Sequence, residues 1–339
     1  MPNQILLMLP ISSRFVTVIS FLILASAFFR NSEAQIATKA DEVVIRIGYQ
    51  KFNTLNILKA KGALDRRLAS LGAKAEWHQF TAGPQLLEAL NAGSLDFGHA
   101  ADAPTAFGQA GGIPLVYVAA EPPYPKGLAI VVQKDSAIRT VGDLKGKTVA
   151  VGKGWNCQYQ IVEALKEAGL KYSDIKPAYV TSAADARAAF ESRRVDAVGI
   201  WDPFYAVLEL ESSPRVLCDG TGLTPNYTFL LAHKRFAKEH PELIAIILQE
   251  LKAVDNWANA NSTEVASLLA KDLGIGVAPL ERATRRREYG VRPIDEKIVK
   301  DQQHLADVFF ELGEIPKQIR VEDAVVFNAP WWTPELAGQ

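Results

Sequence analysis

The 339-residue chain is predicted to be an α/β protein of two similar lobes, each a mostly parallel sheet flanked by helices, with a cleft between them. Three observations lead there. Apolar strand-like runs alternate with helical periodicity from residue 43 to about 232, the pattern that produces parallel sheets covered by helices. Stretches of the first half recur in the second. A proline-rich segment, Glu121-Pro122-Pro123-Tyr124-Pro125, separates the halves as a stiff crossover.

Taken in order, the first half offers strands at 43–49, 75–80, 95–99 and 115–119, with helical spacing across 55–71 and 84–91. The second offers strands at 128–132, 148–151, 177–180, 195–200 and 227–232, and Ile161, Val162, Leu165 and Ala168 recur with helical spacing after the 148–151 run. After Pro241 the chain reads as helices only. The expected division is therefore a first lobe at 42–126, a second at 127–240, and C-terminal helices at 241–330 that pack back on the lobes and complete the first.

The repeat is ungapped between TAGPQLLEALNAGSLDFGHAAD at 81–102 and TSAADARAAFESRRVDAVGIWD at 181–202. Ala89/Ala189, Leu95/Val195, Asp96/Asp196 and Asp102/Asp202 fall in step, each copy reading as helix, turn, buried strand and an Asp shortly before Pro. At a slightly different offset, Phe52-Asn53-Thr54 matches Trp155-Asn156-Cys157, so both halves place aromatic-Asn-small at a helix start.

The N-terminus reads separately. Arg14 precedes an apolar stretch at 15–29, and Ser32 and Ala34 stand at −3 and −1 of a cleavage point before Gln35. That pattern predicts a secretory signal peptide at 1–34; the apolar stretch is shorter than the roughly 20 residues a spanning helix needs, and no Cys near the cleavage point suggests a lipoprotein. A formal net charge of −1 advertises no nucleic-acid or anionic-membrane surface. Cys157 and Cys218 are the two cysteines, enough for one disulfide or for two separate thiols.

Ligands of open parallel sheets bind beyond the carboxyl ends of the strands, where helix N-termini converge. Four turns answer that description: 50–54, 99–103, 154–158 and 201–204. Asn53 and Asn156 suit N-caps, and Asp102 and Asp202 fit the same role with Pro close behind. Such ends, with free N–H groups and a helix dipole worth about 0.3–1 kcal/mol each, attract an anion without a fixed positive charge. Gly152 and Gly154 permit a tight turn; Trp155, Phe52, Trp201 and Tyr124 either wall the cleft around an organic tail or simply close the core.

Other chemistry finds less support. Gly152-x-Gly154-x-x-Cys157 is a partial dinucleotide fingerprint with Cys in place of the third glycine. Cys157 at a helix start is a candidate nucleophile with His99 as base, the basis of a periplasmic hydrolase as the rival of another class. His78, His99, His233, His240 and His304 show no metal-ligand spacing, and no cofactor is implied. The run Arg285-Arg286-Arg287, with Arg282 and Arg292 nearby, is a solvated helix face or supplies one arginine to the cleft. Trp331-Trp332 reads as a plug joining the C-terminal helices to a lobe.

These residues resemble the solute-binding proteins of bacterial ABC importers for aliphatic sulfonates, close to those for taurine and nitrate. The resemblance rests on Ile47-Gly48-Tyr49-Gln50-Lys51, the stretch 82–91, Ala119-Ala120-Glu121-Pro122-Pro123, Asp143-Leu144-Lys145-Gly146-Lys147, Asp185-Ala186-Arg187-Ala188-Ala189-Phe190, and Val195-Asp196-Ala197 through Ile200-Trp201-Asp202-Pro203. It implies a two-lobed periplasmic-binding-protein fold of type II, a monomer in the periplasm that closes on an organosulfonate-like anion and docks on an inner-membrane permease. Nitrate or another organic anion is the alternative ligand. By that likeness the contacts fall at Gln50, Gly83, His99 to Asp102 with Ala101 among them, Gly154 to Cys157, and Trp201 to Asp202; Phe52 and Asn53 are candidates from the residue pattern. The chain departs from the family at His99-Ala100-Ala101, where hydroxyl and glycine residues are usual, and at Trp155-Asn156-Cys157, which replaces a serine-rich turn. Both departures point to a changed or bulkier ligand, such as an aromatic sulfonate or another organic anion.

Overall fold

Strands form here where aliphatic and β-branched residues run together, and the helices between them bury one apolar face. The computed structural model describes residues 42–337; the expected signal peptide at 1–34 lies outside them. The first half comprises β1 (Val43–Gln50), α1 (Thr54–Lys61), α2 (Ala63–Ala69), β2 (Ala73–Phe80), α3 (Gly83–Asn91), β3 (Phe97–Ala101), α4 (Asp102–Ala110) and β4 (Leu115–Ala120). The second comprises β5 (Leu128–Val132), β6 (Thr148–Val151), α5 (Asn156–Glu167), β7 (Lys176–Tyr179), α6 (Ala183–Glu191), β8 (Ala197–Trp201), α7 (Phe204–Glu211) and β9 (Arg215–Asp219). Then follow β10 (Thr228–His233), α8 (Lys234–Glu239), α9 (Pro241–Ala260), α10 (Ser262–Leu273), α11 (Val277–Arg285), α12 (Glu296–Glu311) and α13 (Pro334–Ala337).

The strands make two five-stranded sheets, ordered β2-β1-β3-β10-β4 and β7-β6-β8-β5-β9. β1 pairs parallel with β3, and β6 with β7 and β8. The fourth strand of each sheet, β10 or β5, runs antiparallel to both neighbours. The sheets are thus the same arrangement twice, and the repeated residues have matching jobs. Asp96 Oδ2 accepts from the Arg46 N–H at 2.9 Å, and Asp196 Oδ2 accepts from the Thr148 N–H at 2.7 Å. Each carboxylate closes the start of its central parallel pair. Every residue of β4 and β5 is buried, as strands covered on both faces require.

Two details differ from the sequence reading. β10, read as part of a second lobe ending at 240, returns to the first sheet between β3 and β4; an apolar run does not say which sheet it will join, because its partners are distant in sequence. β9 was not foreseen, since this edge strand, RVLCD, is half exposed and carries charge at both ends. The chain therefore crosses between sheets twice, at 121–127 and 220–227. The crossovers are bonded to each other: the Tyr124 N–H donates to Pro225 O at 2.9 Å and Asn226 Nδ2 to Tyr124 O at 2.7 Å.

The C-terminal helices lie mainly on the first sheet's side. α9 packs on α1 and α2, and α12 on α4, while α11 packs on α7 beside the second sheet. Trp331, fully enclosed, donates from Nε1 to Val118 O on β4 at 3.2 Å. No helix among the described residues is long and apolar enough to cross a membrane.

Candidate ligand-binding site

The carboxyl ends of β1, β3, β6 and β8 converge on one cavity of about 80 Å³. The first sheet's turns bring Gln50, Phe52, Asn53, Gly83, His99 and Ala101 to its wall, and the second sheet's bring Trp155, Asn156, Trp201 and Asp202. Asp102, Gly154 and Cys157, expected with them, do not reach the wall. Lys51, Ala82 and Pro104 line it without having been singled out, as do Gly127, Asn226 and Thr228 from the crossovers and β10. Those last residues carried no signal until β10 was known to return to the first sheet.

Three helices start at the cavity after residues with extended backbone and no side-chain cap: α3 after Ala82, α4 after Ala101 and α5 after Trp155. At α4 the Asp102 N–H donates to Tyr227 O at 3.0 Å and the Ala103 N–H to Asp102 Oδ1 at 2.8 Å, and at α5 the Cys157 N–H donates to Asn156 Oδ1 at 3.1 Å. The first turn of α3 is thus the most open of the three positive helix ends. Gly83 has to be glycine, because a Cβ there would stand 2.8 Å from Pro104 Cγ. Asn156 is the first residue of α5 rather than its cap: its Nδ2 donates to Asn226 Oδ1 at 2.8 Å, tying the helix start to the second crossover. Asn53 does cap α1, accepting from the Leu55 N–H at 3.0 Å while Asn56 reaches back to the Asn53 N–H at 2.9 Å. Asp202 and Asp102 are not the N-caps expected of them: Asp202 precedes the N-cap Pro203 of α7 and accepts from the Ala206 N–H at 3.1 Å, and Asp102 is the first residue of α4, after Ala101.

His99 sits on β3 with its ring buried. Its Nε2 accepts from the Gln50 N–H at 3.0 Å, which places the ring proton on Nδ1. Burial, then the charge of Arg287, press its pKa down to about 3. His99 is therefore a neutral hydrogen-bond donor throughout the physiological range.

The basic run does send an arginine to the cavity. Arg287 donates to Phe52 O at 3.3 Å, pairs with Glu121, and lies 5.8 Å from the Phe52 ring and 5.3 Å from the Tyr124 ring. Glu121 in turn accepts from Asn53 Nδ2 and Thr54 Oγ1, both at 3.0 Å. Phe52 holds φ 62°, a left-handed conformation that costs a bulky residue roughly 1–3 kcal/mol, and the bond from Arg287 to its carbonyl helps maintain it. Arg286 turns the opposite way: it donates to Glu209 at 2.6 Å and its Nε stands 3.0 Å from Asp202 Oδ2, an ion pair with poor hydrogen-bond angle. The Tyr124 hydroxyl lies 2.5 Å from the same Asp202 oxygen. Consecutive arginines thus engage the first sheet's turns and the second's.

Behind the wall the expectations for Cys157 fail. Its side chain joins Ile161, Leu165 and Val149 in the second sheet's core, because 157, 161 and 165 share one face of α5. Burial, then the charge of Asp102, raise the thiol pKa well above its ordinary value, and His99 Nε2 is already engaged by Gln50. An activated nucleophile needs the opposite environment. Cys157 and Cys218 are both free thiols. Among the described residues, no group of three or more His, Cys, Asp or Glu is placed to hold a metal ion.

Asp102, the first residue of α4, is buried, and burial lifts its pKa to about 7 against the opposing bond from the Ala103 N–H. Folded Asp102 holds a proton that the unfolded chain releases near 3.8, so its stabilising contribution is complete below about pH 4 and is lost as pH rises through 7. His99, whose pKa burial lowers from 6.5 to about 3, acts in the opposite sense below about pH 6.5, so the expected result of urea unfolding at pH 5 and pH 8 is that Asp102→Asn loses part of whatever advantage pH 5 gives the wild type. Asp202, also raised to about 7 by burial, acts in the same sense, so the reduction is partial. An unchanged pH slope in Asp102→Asn would assign the effect elsewhere.

The aromatic residues serve as wall and core at once. The Trp155 and Trp201 rings meet edge to face at 4.7 Å, and Trp201 meets Phe204 at 5.7 Å. Trp155 and Phe52 are both buried while lining the cavity.

Comparison with known proteins agrees with this geometry. Residues 43–272 match the family described as the substrate-binding domain of the ABC-type glycine betaine transport system. A putative aliphatic sulfonates-binding protein of Escherichia coli (strain K12) is 38% identical over 90% of this chain and 93% of its own length. One from Bacillus subtilis (strain 168) is 31% identical over 83% of this chain and 85% of its own. The alkanesulfonate-binding protein SsuA of Xanthomonas axonopodis pv. citri, solved bound to MOPS, superposes with a TM-score of 0.79 at 39% identity, over 85% of this chain and 99% of that one. The two matched sheets, the cleft between them and these similarities together establish that the chain belongs to the substrate-binding proteins of ABC importers, the family that includes the aliphatic sulfonate-binding proteins.

Proposed function

We propose that this receptor captures an organosulfonate between its two lobes and delivers it, as a monomer in the periplasm, to an inner-membrane permease. The observation that carries the ligand class is the convergence of helix N-termini from both sheets, those of α3, α4 and α5, on one cavity, with the first turn of α3 uncapped. N–H groups there, the neutral Nδ1–H of His99 and the guanidinium of Arg287 suit an oxyanion. The apolar wall of Trp155, Trp201 and Phe52 suits a carbon tail. A quaternary ammonium fits less well, since Arg287 already lies near the Phe52 and Tyr124 rings. The signal peptide expected at 1–34 would export the chain.

The test is thermal unfolding of the protein beginning at Gln35 with ethanesulfonate, sulfate, nitrate and glycine betaine. A ligand at 100 times its Kd stabilises by about 2.7 kcal/mol. Stabilisation by ethanesulfonate is the expected result. A response confined to nitrate, sulfate or glycine betaine would replace the sulfonate with that ligand.

A further inference from the structure

The lobes also meet away from the cavity, at a carboxylate. Glu314 follows α12 and is fixed to the first lobe: its N–H donates to Phe309 O at 2.9 Å, and Phe309 and the adjoining Ile315 are buried in one core with Tyr117 of β4 and Phe229 of β10. Its side chain reaches the second lobe. Lys153, in the turn after β6, brings Nζ to 3.2 Å from Glu314 Oε2, and Tyr179, the last residue of β7, donates its hydroxyl to Oε1 at 3.3 Å. Val151 and Tyr179 are register partners, so both groups leave the carboxyl ends of neighbouring parallel strands, the end of the sheet that faces the cavity.

From Tyr179 a row of hydrogen bonds runs inward. The Tyr179 and Tyr172 hydroxyls are 3.4 Å apart, Gln158 Nε2 donates to the Tyr172 hydroxyl at 3.3 Å, and Gln158 Oε1 accepts the Gly154 N–H at 2.7 Å. Its direction is fixed at both ends. An ionised Glu314 only accepts, so the Tyr179 hydrogen goes to it and the Tyr172 hydrogen to Tyr179; the Gly154 N–H only donates, which sets the Gln158 amide. Every donor from Gln158 Nε2 outward is therefore aimed at one charged acceptor on the other lobe, where a hydrogen bond is strongest. Gly154 precedes Trp155 and Asn156, which line the cavity. Resting on the receptor reading above, we propose that Glu314 is a clasp: it holds the lobes in their closed arrangement and, through Tyr179, Tyr172 and Gln158, ties that arrangement to the ligand-binding turn. An ion pair with a lysine as exposed as Lys153 contributes little alone; the bonded row gives the contact its reach. Closing favours the turn conformation that a ligand meets, and by reciprocity a ligand at the turn favours closing. Glu314 is not part of the cavity wall, so its loss acts on the ligand through closure.

Stopped-flow binding and release of ethanesulfonate, followed by tryptophan fluorescence in the wild type, Glu314→Ala, Glu314→Gln and Tyr179→Phe, tests this. Glu314→Ala is expected to speed release by about fivefold or more while association stays within about twofold of the wild type. Glu314→Gln, which keeps an acceptor for Tyr179 but no charge for Lys153, and Tyr179→Phe should fall between. X-ray scattering of the ligand-free proteins is the arm that needs no ligand: Glu314→Ala should have the larger radius of gyration. Release unchanged in Glu314→Ala, or a loss of affinity carried by association instead, overturns the clasp and leaves the sulfonate reading standing. If the wild type binds no ethanesulfonate, the sulfonate reading falls and scattering alone decides the clasp, which equal radii overturn.

Discussion

Replacing Arg287 by Met is expected to destabilise the protein by about 3–5 kcal/mol, the cost of leaving a buried carboxylate without its partner. Glu121 is only 3% exposed, and once the guanidinium is gone its charge keeps just the neutral donors Asn53 Nδ2 and Thr54 Oγ1. Asp255 makes the loss worse: it too is buried, with its pKa raised first by burial and then by the charge of Glu121, and Arg287 is what opposes that rise. Adding Glu121→Gln to Arg287→Met removes the orphaned charge, so the double variant should be more stable than Arg287→Met alone. Urea unfolding of the four proteins in the cycle measures this. Simple additivity of the two losses would show that Arg287 and Glu121 are not energetically coupled. Sulfonate affinity should fall in both Arg287 variants, because Arg287 also lines the cavity and fixes the Phe52 carbonyl.

Arg287 also shows where sequence reasoning stops. The run Arg285-Arg286-Arg287 is visible in the sequence, yet nothing in it says that Arg285 pairs on the surface with Glu281, Arg286 with Asp202 and Glu209, and Arg287 with Glu121. Successive side chains leaving the end of α11 diverge: Glu281 lies on α11 itself, Glu209 on α7, Asp202 in the turn after β8 and Glu121 in the first crossover. The alternation of strands and helices was legible because each parallel unit is local. The repeat was legible because both sheets need an Asp to close the same strand pair, at Asp96 and Asp196. The return of β10 was not, since pairing across more than a hundred residues leaves no local mark. At the site, the strand-end turns were readable and one-residue detail was not: Asn156 is inside its helix rather than capping it, and Cys157 faces the core. That last point was available from the 157, 161 and 165 spacing, which is the apolar face of α5.

Gly152→Ala is expected to abolish most ligand binding, and the reason separates two glycines at the ends of corresponding strands, Gly48 and Gly152. Gly48 lies near the end of β1 and Gly152 directly after β6, the strand that corresponds to it, but their crowding differs. A Cβ on Gly48 meets Leu95 Cδ1 at 2.5 Å and Leu86 Cγ at 3.0 Å, branched aliphatic tips inside the first sheet's core. A Cβ on Gly152 falls 1.9, 2.0 and 2.4 Å from Cε2, Cδ2 and Nε1 of Trp155, over the face of a rigid ring. Leucine tips can turn; an indole has to move as a whole. Behind Trp155 stands the new methyl group and beside it Trp201, so the ring is driven toward the cavity it now lines. Overpacking of this kind costs about 1–3 kcal/mol of stability, and loss of tail space should weaken binding at least tenfold, about 1.4 kcal/mol. Gly48→Ala should cost stability of the same order while leaving affinity within a few-fold of the wild type. Combining Gly152→Ala with Trp155→Ala removes the colliding ring, and affinity should recover relative to Gly152→Ala alone. Titrating ethanesulfonate into the wild type and these three variants decides the matter: if Gly152→Ala binds like the wild type, Trp155 has room to move and is not a fixed wall of the cavity.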